Sequence, residues 1–337
     1  MLNFFLTLLL FLPEFLIKIF IKVPVSDGTS MDPKQWILCR LSPAEILGGP
    51  NSEVNEVRKI IESISGTRPL PNTSIVETKD HLFSKDGNSF VIREYFSVSQ
   101  PYSGKGMMYL HGGGWVVCSI ETHDQICRFL CYFLKCKIFS VGYRLAPEHK
   151  YPLPLEDCFN AWNWICSNSS SLGINKELLS IGGDSAGGHL AATLCHKLLS
   201  LHYKVLPTSQ LLICPVIEPS STNSSYHEFK EGFYLTAKAM EWFSDCYIPE
   251  NSDKQDYMIW PLEATDWEKM PPAMIISAGF DVLRDEAEDY AKKLKKNGVK
   301  VIHKLYKDCI HDFPMFSYLP KPAKYTKDFL AQFSSFM

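Results

Sequence analysis

Near its middle the 337-residue chain carries the stretch Leu179-Ser180-Ile181-Gly182-Gly183-Asp184-Ser185-Ala186-Gly187-Gly188-His189-Leu190, where an apolar run meets a helical pattern. We predict a strand at 178–181 and a helix at 186–199, with Ser185 on the turn between them. Gly183 and Gly187 allow the backbone to bend tightly at that turn. A serine held exposed on a strand-to-helix turn between glycines is typical of an activated nucleophile.

Apolar runs and helical patterns alternate on both sides of this turn. The predicted strands are 75–78, 90–96, 107–110, 138–141, 178–181, 211–214, 273–277 and 299–306, and helical patterns lie at 122–134, 155–166, 186–199 and 286–297. This alternation predicts an α/β fold with a mostly parallel eight-stranded sheet and helices on both faces. The polar residues at 84–88 predict an antiparallel hairpin at one edge of that sheet.

Composition excludes several classes of protein. Hydrophobic residues make up 46% of the chain and charged residues 21%, which are values of a globular protein. The net charge of 34 − 37 = −3 gives no electrostatic footprint for nucleic acid. His123, Cys127 and Cys131 are spaced four residues apart on a predicted helix, so the first and last lie roughly 12 Å apart, too far for one zinc ion. We therefore expect a buried helix face there, and no metal or cofactor.

Three regions are predicted along the chain. Residues 1–23 form an apolar segment that associates with a membrane, and 24–72 form an N-terminal helical part of a cap, with a helical pattern over 42–64. Residues 73–337 form the catalytic domain. The gap at about 217–270 is too long for a loop and rich in aromatic residues, so we expect a cap insertion over the strand ends.

The apolar N-terminus has three interpretations, which are a membrane anchor, a helix lying in the membrane plane and a cleaved signal peptide. As one helix it would span roughly 34 Å, enough to cross a bilayer, but Pro13 and Glu14 interrupt it. Lys18 and Lys22 on the downstream flank favour a cytosolic catalytic part. Glycosylation sequons at Asn72, Asn168 and Asn223 would matter only in a lumen, so the side of the membrane stays open.

A glycine run follows the strand predicted at 107–110, in His111-Gly112-Gly113-Gly114-Trp115. Consecutive glycines let backbone N–H groups converge on one point, as stabilisation of an oxyanion requires. We assign the N–H groups of Gly113, Gly114 and Ala186 as oxyanion donors. His111, Gly112 and Asp184 are expected to support the loop, with His111 a hydrogen-bonded brace and not the catalytic base.

The remaining catalytic candidates are Asp281 and His311, each placed just after a predicted strand. The chain order Ser185, Asp281, His311 is the one expected when three strand ends of such a sheet supply the triad. His311 would take the proton from Ser185, and Asp281 would orient the imidazole. Asp285 and Glu286 compete with Asp281, but acidic residues are common in the first turn of a helix.

Four motifs then resemble one family. They are His111-Gly-Gly-Gly-Trp115, Tyr143-Arg-Leu-Ala-Pro-Glu148, Gly183-Asp-Ser-Ala-Gly187 and Asp281-Val-Leu-Arg-Asp-Glu286. They are similar to the hormone-sensitive-lipase branch of α/β-hydrolases, and most of all to relatives of arylacetamide deacetylase and neutral cholesterol ester hydrolase, over about 107–313. The resemblance implies a serine esterase, often on the endoplasmic reticulum membrane, with a charged brace of Arg144, Glu148 and Asp157 behind the oxyanion loop. Two departures are a short region before His111 and Asp312, where close relatives often carry glycine.

The sequence therefore predicts a serine carboxylesterase that acts on small-molecule or lipid esters, arylacetamides included, through an acyl-serine intermediate. Two alternatives stay open, which are a non-catalytic small-molecule receptor on a hydrolase scaffold and an amidase or peptidase with the same triad. The predicted partners are the substrate and, through the N-terminal segment, a membrane.

Overall fold

The structure is a computed structural model that describes residues 6, 8–42, 46–65, 73–85, 88–98, 104–218, 222–253 and 255–337. Its main sheet consists of β1 (Val76–Lys85), β2 (Asn88–Ser97), β3 (Gly106–Leu110), β4 (Lys137–Val141), β5 (Leu179–Asp184), β6 (Gln210–Ile213), β7 (Ala273–Phe280) and β8 (Val301–Ile310). The strand order is β8-β7-β6-β5-β3-β4-β2-β1. Strand β2 pairs antiparallel with β1 and β4, and the other neighbours are parallel. The predicted eight-stranded, mostly parallel sheet is confirmed, and its first two strands form the predicted edge hairpin.

The helices with bounds inside the described residues are α1 (Glu14–Phe20), α2 (Pro33–Leu41), α3 (Val54–Ile64), α4 (Asp124–Leu134), α5 (Leu153–Ser167), α6 (Ala186–Ser200), α7 (Ser224–Glu228), α8 (Ala237–Tyr247), α9 (Arg284–Lys296) and α10 (Pro320–Ser334). Short strands at Val25–Ser26 and Thr29–Ser30 pair as a separate hairpin. Four of the helices, α4, α5, α6 and α9, fall on the four helical patterns predicted between strands.

Two hydrophobic cores cover the two faces of the sheet. Successive side chains of a strand point to opposite faces, and β3 follows this rule, because Met108 and Leu110 lie in one core while Met107 and Tyr109 lie in the other. Helices α5, α6 and α9 pack in the first core, and α4 and α10 pack in the second. Every residue of β3, β5, β6 and β7 is buried, as expected for strands covered on both sides.

The N-terminal region differs from its prediction. Among the described residues of the helical pattern predicted over 42–64, the helix is α3, and turns precede it where the sequence reads Gly48-Gly49-Pro50. Helix α2 was not predicted, although its start carries a clear signal. The side chain of Asp32 accepts hydrogen bonds from the N–H groups of Lys34 and Gln35, and Pro33 occupies the first helical position.

The segment at 217–270, predicted as a cap insertion, contains α7, α8 and a 3₁₀ turn at Pro261–Glu263. Its aromatic rings reach both the glycine loop after β3 and the N-terminal region. A Cβ built on Gly114 would fall 2.2 Å from the ring of Phe243, and one on Gly48 would fall 2.3 Å from the ring of Trp242. The two parts of the chain assigned to the cap therefore contact each other, and one of them reaches the glycine loop after β3.

At the N-terminus, Leu6, Leu9 and Ile17 pack with Ile37 of α2 in a small separate cluster. Helix α1 begins directly after Pro13, so a new helix starts at the interruption seen in the sequence. None of the helices within the described part of the chain combines the length and apolarity needed to cross a membrane. Residues 1–5 and 7 of the predicted membrane segment lie outside the described residues.

Candidate active site

Four loops at one edge of the sheet carry the predicted site residues. Strands β3, β5, β7 and β8 run parallel, so their carboxyl ends lie at the same edge. His111 follows β3, Ser185 follows β5, Asp281 follows β7 and His311 follows β8. The sheet thus brings together side chains that are up to 200 positions apart in the chain.

Ser185, His311 and Asp281 form one hydrogen-bonded chain. The hydroxyl oxygen of Ser185 lies 3.0 Å from Nε2 of His311, and Nδ1 of His311 lies 2.8 Å from Oδ2 of Asp281. The other carboxylate oxygen of Asp281 accepts a hydrogen bond from the N–H of Leu283 at 3.0 Å, which fixes its orientation. All three side chains are buried. This is the arrangement in which an imidazole can remove the proton of a serine.

The turn at Ser185 holds its backbone in an unusual conformation. Ser185 has φ 50° and ψ −120°, a region that non-glycine residues rarely adopt, at a cost on the order of 1–3 kcal/mol. Its N–H donates to the carbonyl of Ile213 and its carbonyl accepts from Val216, so the neighbouring strand end supports the turn. A Cβ on Gly187 would lie 2.0 Å from the carbonyl oxygen of Leu110. Only glycine there lets α6 start this close to β3.

The glycine loop places free donors beside Ser185. Gly113 and Gly114 have φ of 106° and 57°, and a Cβ on Gly113 would lie 2.3 Å from the carbonyl oxygen of Val117. Within the described part of the chain, the N–H groups of Gly113, Gly114 and Ala186 donate no hydrogen bond to another residue. Ala186 is also the first residue of α6, where the partial positive charge of the helix favours an anion.

The carboxylate of Asp184 ties the glycine loop to the turn. It accepts hydrogen bonds from the hydroxyl of Tyr109 at 2.6 Å, the N–H of Gly112 at 3.0 Å and Nε2 of His123 at 3.1 Å. A Cβ on Gly112 would lie 2.3 Å from this carboxylate, so only glycine at position 112 lets the loop lie this close to Asp184. Asp184, one position before Ser185, thus holds the glycine loop against the serine turn.

His111 lies behind the loop and not against Ser185. Its Nδ1 contacts the carbonyl oxygen of Gly112 at 2.8 Å, and its ring stacks on Tyr143, whose hydroxyl donates to the carbonyl of His111 at 2.7 Å. Burial lowers the pKa of His111 to about 3, and the neighbouring charge of His123 acts in the same direction. A neutral ring in this position fits a brace for the loop.

His123 has a partner that the sequence analysis did not identify. Cys127 and Cys131 lie on the buried face of α4 as predicted, but His123 directly precedes that helix and faces Asp184. Burial alone would lower the pKa of His123, and the carboxylate of Asp184 outweighs it and holds that pKa above its usual value. In the same pair, burial would raise the pKa of Asp184, and the cation of His123 holds it below its usual value. The two groups therefore form a buried ion pair.

The competing acids are occupied elsewhere. Glu286 accepts hydrogen bonds from the N–H groups of Ile217 and Glu218, and its burial raises its pKa well above the usual value. Asp285 accepts from the N–H of Ser225 at 2.9 Å. Both acids therefore hold the start of the 217–270 insertion, and Asp281 is the one of the three that meets His311.

Further charged groups hold the residues that follow the glycine loop and the residues that follow β4. Arg144 and Asp157 form a two-pronged ion pair at 2.8 Å, but Glu148 pairs instead with Arg58 of α3. Arg58 also donates to the carbonyl oxygen of Val116, just after the glycine loop. The brace implied by the resemblance is therefore two separate pairs. The sequence pattern did not reveal Arg58, since its partners lie 58 to 90 positions away.

The buried thiol of Cys214 lies near Asp281 and His311. The possible ligand atoms of Cys214, Asp281 and His311 all lie within 4.8 Å of one another. However, Nδ1 of His311 is already hydrogen-bonded to Asp281, and burial raises the pKa of Cys214 well above its usual value, which favours the neutral thiol. Metal binding requires the thiolate, so this set fits a hydrogen-bonded pair with an adjacent thiol.

Comparison with known proteins agrees with the geometry of the strand ends and the serine turn. The family model described as the alpha/beta hydrolase fold matches residues 107–315. The chain belongs to the alpha/beta hydrolase fold family. An arylesterase of Saccharolobus solfataricus is 31% identical over 80% of this chain and 87% of its own length, and an ethyl acetate hydrolase of Pseudomonas putida is 33% identical over 69% and 74%.

A solved structure is similar over nearly the whole hydrolase. The hyperthermophilic esterase of Pyrobaculum calidifontis superposes with a TM-score of 0.83 at 30% identity, covering 91% of this chain and 99% of that one. The predicted fold class of this alpha/beta hydrolase is therefore confirmed, and the narrower resemblance to arylacetamide deacetylase stays a prediction.

The ion pair of His123 and Asp184 predicts a pH-dependent contribution to stability. Because the pKa of His123 is raised by folding, its charge stabilises the protein fully below the unfolded value of about 6.5, and the contribution is lost as pH rises through the folded value. His123→Gln removes the charge and keeps an N–H donor. We expect it to lower the free energy of unfolding by about 1–3 kcal/mol at pH 6, with a smaller difference near pH 9. Urea denaturation at both pH values measures this, and a difference that stays constant or grows with pH would contradict it.

Proposed function

We propose that this alpha/beta hydrolase is a serine carboxylic ester hydrolase with Ser185 as nucleophile, His311 as general base and acid, and Asp281 as the group that orients the imidazole. The observation that carries the proposal is the continuous hydrogen-bonded chain of Ser185, His311 and Asp281, together with the N–H groups of Gly113, Gly114 and Ala186, which have no acceptor among the described residues. The named esterases among its relatives support the same chemistry.

The reaction begins with attack of Oγ of Ser185 on the ester carbonyl carbon. Nε2 of His311 takes the hydroxyl proton, and the carbonyl oxygen becomes an oxyanion that accepts hydrogen bonds from the N–H groups of Gly113, Gly114 and Ala186. The C–O bond to the alcohol breaks, and His311 gives its proton to the departing oxygen. Water then attacks the acyl-serine with the same proton transfers, which releases the acid and restores Ser185.

The proposed substrate class rests on the burial of Ser185 and on the aromatic rings that pack on the glycine loop and on Trp115. Phe243 from the 217–270 insertion lies against Gly114, and Tyr247 stacks on Trp115 with ring centroids 4.4 Å apart. Only 5% of the surface of Ser185 is exposed. A buried, aromatic surrounding favours small apolar acyl groups. We therefore propose short acyl esters, with aryl esters and arylacetamides as the finer class, over long-chain lipid esters.

The first test concerns Ser185. We expect Ser185→Ala to keep the fold and to lower kcat for p-nitrophenyl acetate by at least about 10⁴-fold, since the substitution removes the hydroxyl that forms the acyl intermediate. Ser200→Ala at the other end of the same helix is the matched control, because the hydroxyl of Ser200 donates to the carbonyl of Lys197, far along α6 from Ser185. A fluorophosphonate probe should label the wild type and not Ser185→Ala. A folded wild type that neither turns over the ester nor takes the probe would instead indicate the non-catalytic receptor.

The second test separates substrate classes. Across p-nitrophenyl esters of rising acyl length we expect kcat/KM to be highest from acetate to butyrate and to fall for longer chains, because the enclosed site limits acyl length. Acetanilide assayed in the same buffer tests the amidase alternative, since acylation of Ser185 by this amide would release aniline. A maximum at long chains would support lipid esters, and faster turnover of the anilide than of the acetate ester would support the amidase.

We also propose that the hydrolase associates with a membrane through its N-terminal segment. The resemblance to relatives of arylacetamide deacetylase favours the endoplasmic reticulum membrane, and the side of that membrane is left open. Phe11, Phe15 and Ile19 are each more than two thirds exposed, which is unusual for such side chains in water. The nearby Lys18 and Lys22 suit the headgroup region.

Flotation with phosphatidylcholine vesicles that contain an anionic lipid tests this association. We expect the full chain to float and Phe11→Ser with Phe15→Ser to bind at least about tenfold more weakly, because each buried phenyl ring contributes roughly 1.5–3 kcal/mol. Leu201→Ser removes an exposed apolar side chain from another surface and is the control. Equal flotation of all three proteins would contradict the proposal.

A further inference from the structure

The imidazole of His311 has a second acidic neighbour. Oδ2 of Asp312 lies 3.2 Å from Nε2 of His311, and the same nitrogen lies 3.0 Å from the hydroxyl oxygen of Ser185. Asp281 occupies the opposite nitrogen, Nδ1, at 2.8 Å. The ring is therefore flanked by two carboxylates, and one of them meets the nitrogen that must accept the serine proton.

The local backbone does not account for this carboxylate. Asp312 has φ 48° and ψ 37°, a left-handed conformation that glycine adopts without strain and that asparagine and aspartate tolerate, so the backbone does not call for a charged side chain. It precedes the 3₁₀ turn Phe313–Phe316, but its side chain makes no capping hydrogen bond there. Its other oxygen, Oδ1, is buried and has no hydrogen-bond partner among the described residues. The contact with His311 is what the side chain adds to the structure.

The groups around Asp312 supply little positive charge besides His311. Each element packed near Asp312 contributes a titratable group whose pKa interacts with that of Asp312. These groups are Tyr109 at β3, Cys118 after the glycine loop, His123 before α4, Asp184 at β5, Cys214 after β6, Tyr234 in the 217–270 insertion, Asp281 after β7 and His311 itself. Of these, only the two histidines can carry a positive charge, and His123 is paired with Asp184.

The charges at the pair follow from this environment. Burial raises the pKa of Asp312 to about 6, against the opposing effect of His311. Burial would lower the pKa of His311, but Asp281 and Asp312 together hold it well above its usual value. As pH rises, the first proton lost from the pair is thus the one on the Asp312 carboxyl. The second is the one on Nε2 of His311, and only its loss leaves a neutral imidazole that can accept the proton of Ser185.

We propose that Asp312 is a positioning residue that competes with Ser185 for the proton-bearing nitrogen of His311, and thereby moves the onset of ester turnover to higher pH. The inference rests on the proposed esterase function. The effect is electrostatic, since an ionised carboxylate in contact with an imidazole favours the imidazolium. The same contact favours the imidazolium that forms when Ser185 attacks, so the activity above that onset is kept.

The pH profile of kcat/KM for p-nitrophenyl acetate measures the effect, because its acid limb reports the ionisation of the free enzyme. Asp312→Asn keeps the shape of the side chain and removes its charge, and Asp312→Gly suits the left-handed backbone. We expect the acid limb of both variants to lie about one pH unit or more below that of the wild type. Asp289→Asn, which removes an exposed charge on α9, should leave the limb in place.

The outcomes separate this inference from the proposed function. If the wild type turns over the ester and its acid limb coincides with those of both folded Asp312 variants, the inference is wrong while the esterase stands. If the wild type shows no turnover and no fluorophosphonate labelling, the proposed function fails. NMR titration of the His311 ring then tests the electrostatic effect of Asp312 by itself: the protonation midpoint should fall in Asp312→Asn and stay in Asp289→Asn, and equal midpoints in all three proteins would contradict that effect.

Discussion

The buried carboxylate of Asp184 is the group on which the site depends. It is the last residue of β5, so its position is set by the centre of the sheet, and Ser185 follows it directly. Three donors from different parts of the chain converge on it, from Tyr109 in β3, Gly112 in the glycine loop and His123 before α4. A buried charge requires such partners to be stable. One side chain therefore sets the distance between the serine turn and the loop that faces it.

At the strand ends, three carboxylates pair with two of the histidines. Asp184 pairs with His123, and Asp281 and Asp312 both contact His311, so the two groups have different roles. The pair of Asp184 and His123 is structural and lies behind the glycine loop. His311 is the histidine that contacts Ser185. Its two neighbouring carboxylates, Asp281 and Asp312, both favour the protonated imidazole. This separation allows one set of charges to hold the loop while the other remains free to exchange a proton.

The parts outside the sheet position the site from both sides. The insertion at 217–270 brings Phe243 against Gly114, and the N-terminal region reaches the end of β8, where the buried side chain of Gln35 accepts a hydrogen bond from the N–H of Ile310. That contact lies one residue before His311. Arg58, from the same region, holds the carbonyl after the glycine loop. The N-terminal region is thus part of the support of the active site as well as of its surroundings.

The sequence by itself determined the strand–turn–helix around Ser185, the glycine loop after β3, the eight strands and the order of Ser185, Asp281 and His311. Each of these follows from a pattern confined to a few residues or from the alternation of elements. The tertiary structure alone decided the partner of His123, the split of Arg144 and Glu148 into separate ion pairs, and the contact of Asp312 with His311. It also corrected the helix expected over 42–64 and added α2. Those features depend on distances between residues far apart in the chain, or on which nitrogen of a ring a neighbour meets, and local periodicity carries no information about either.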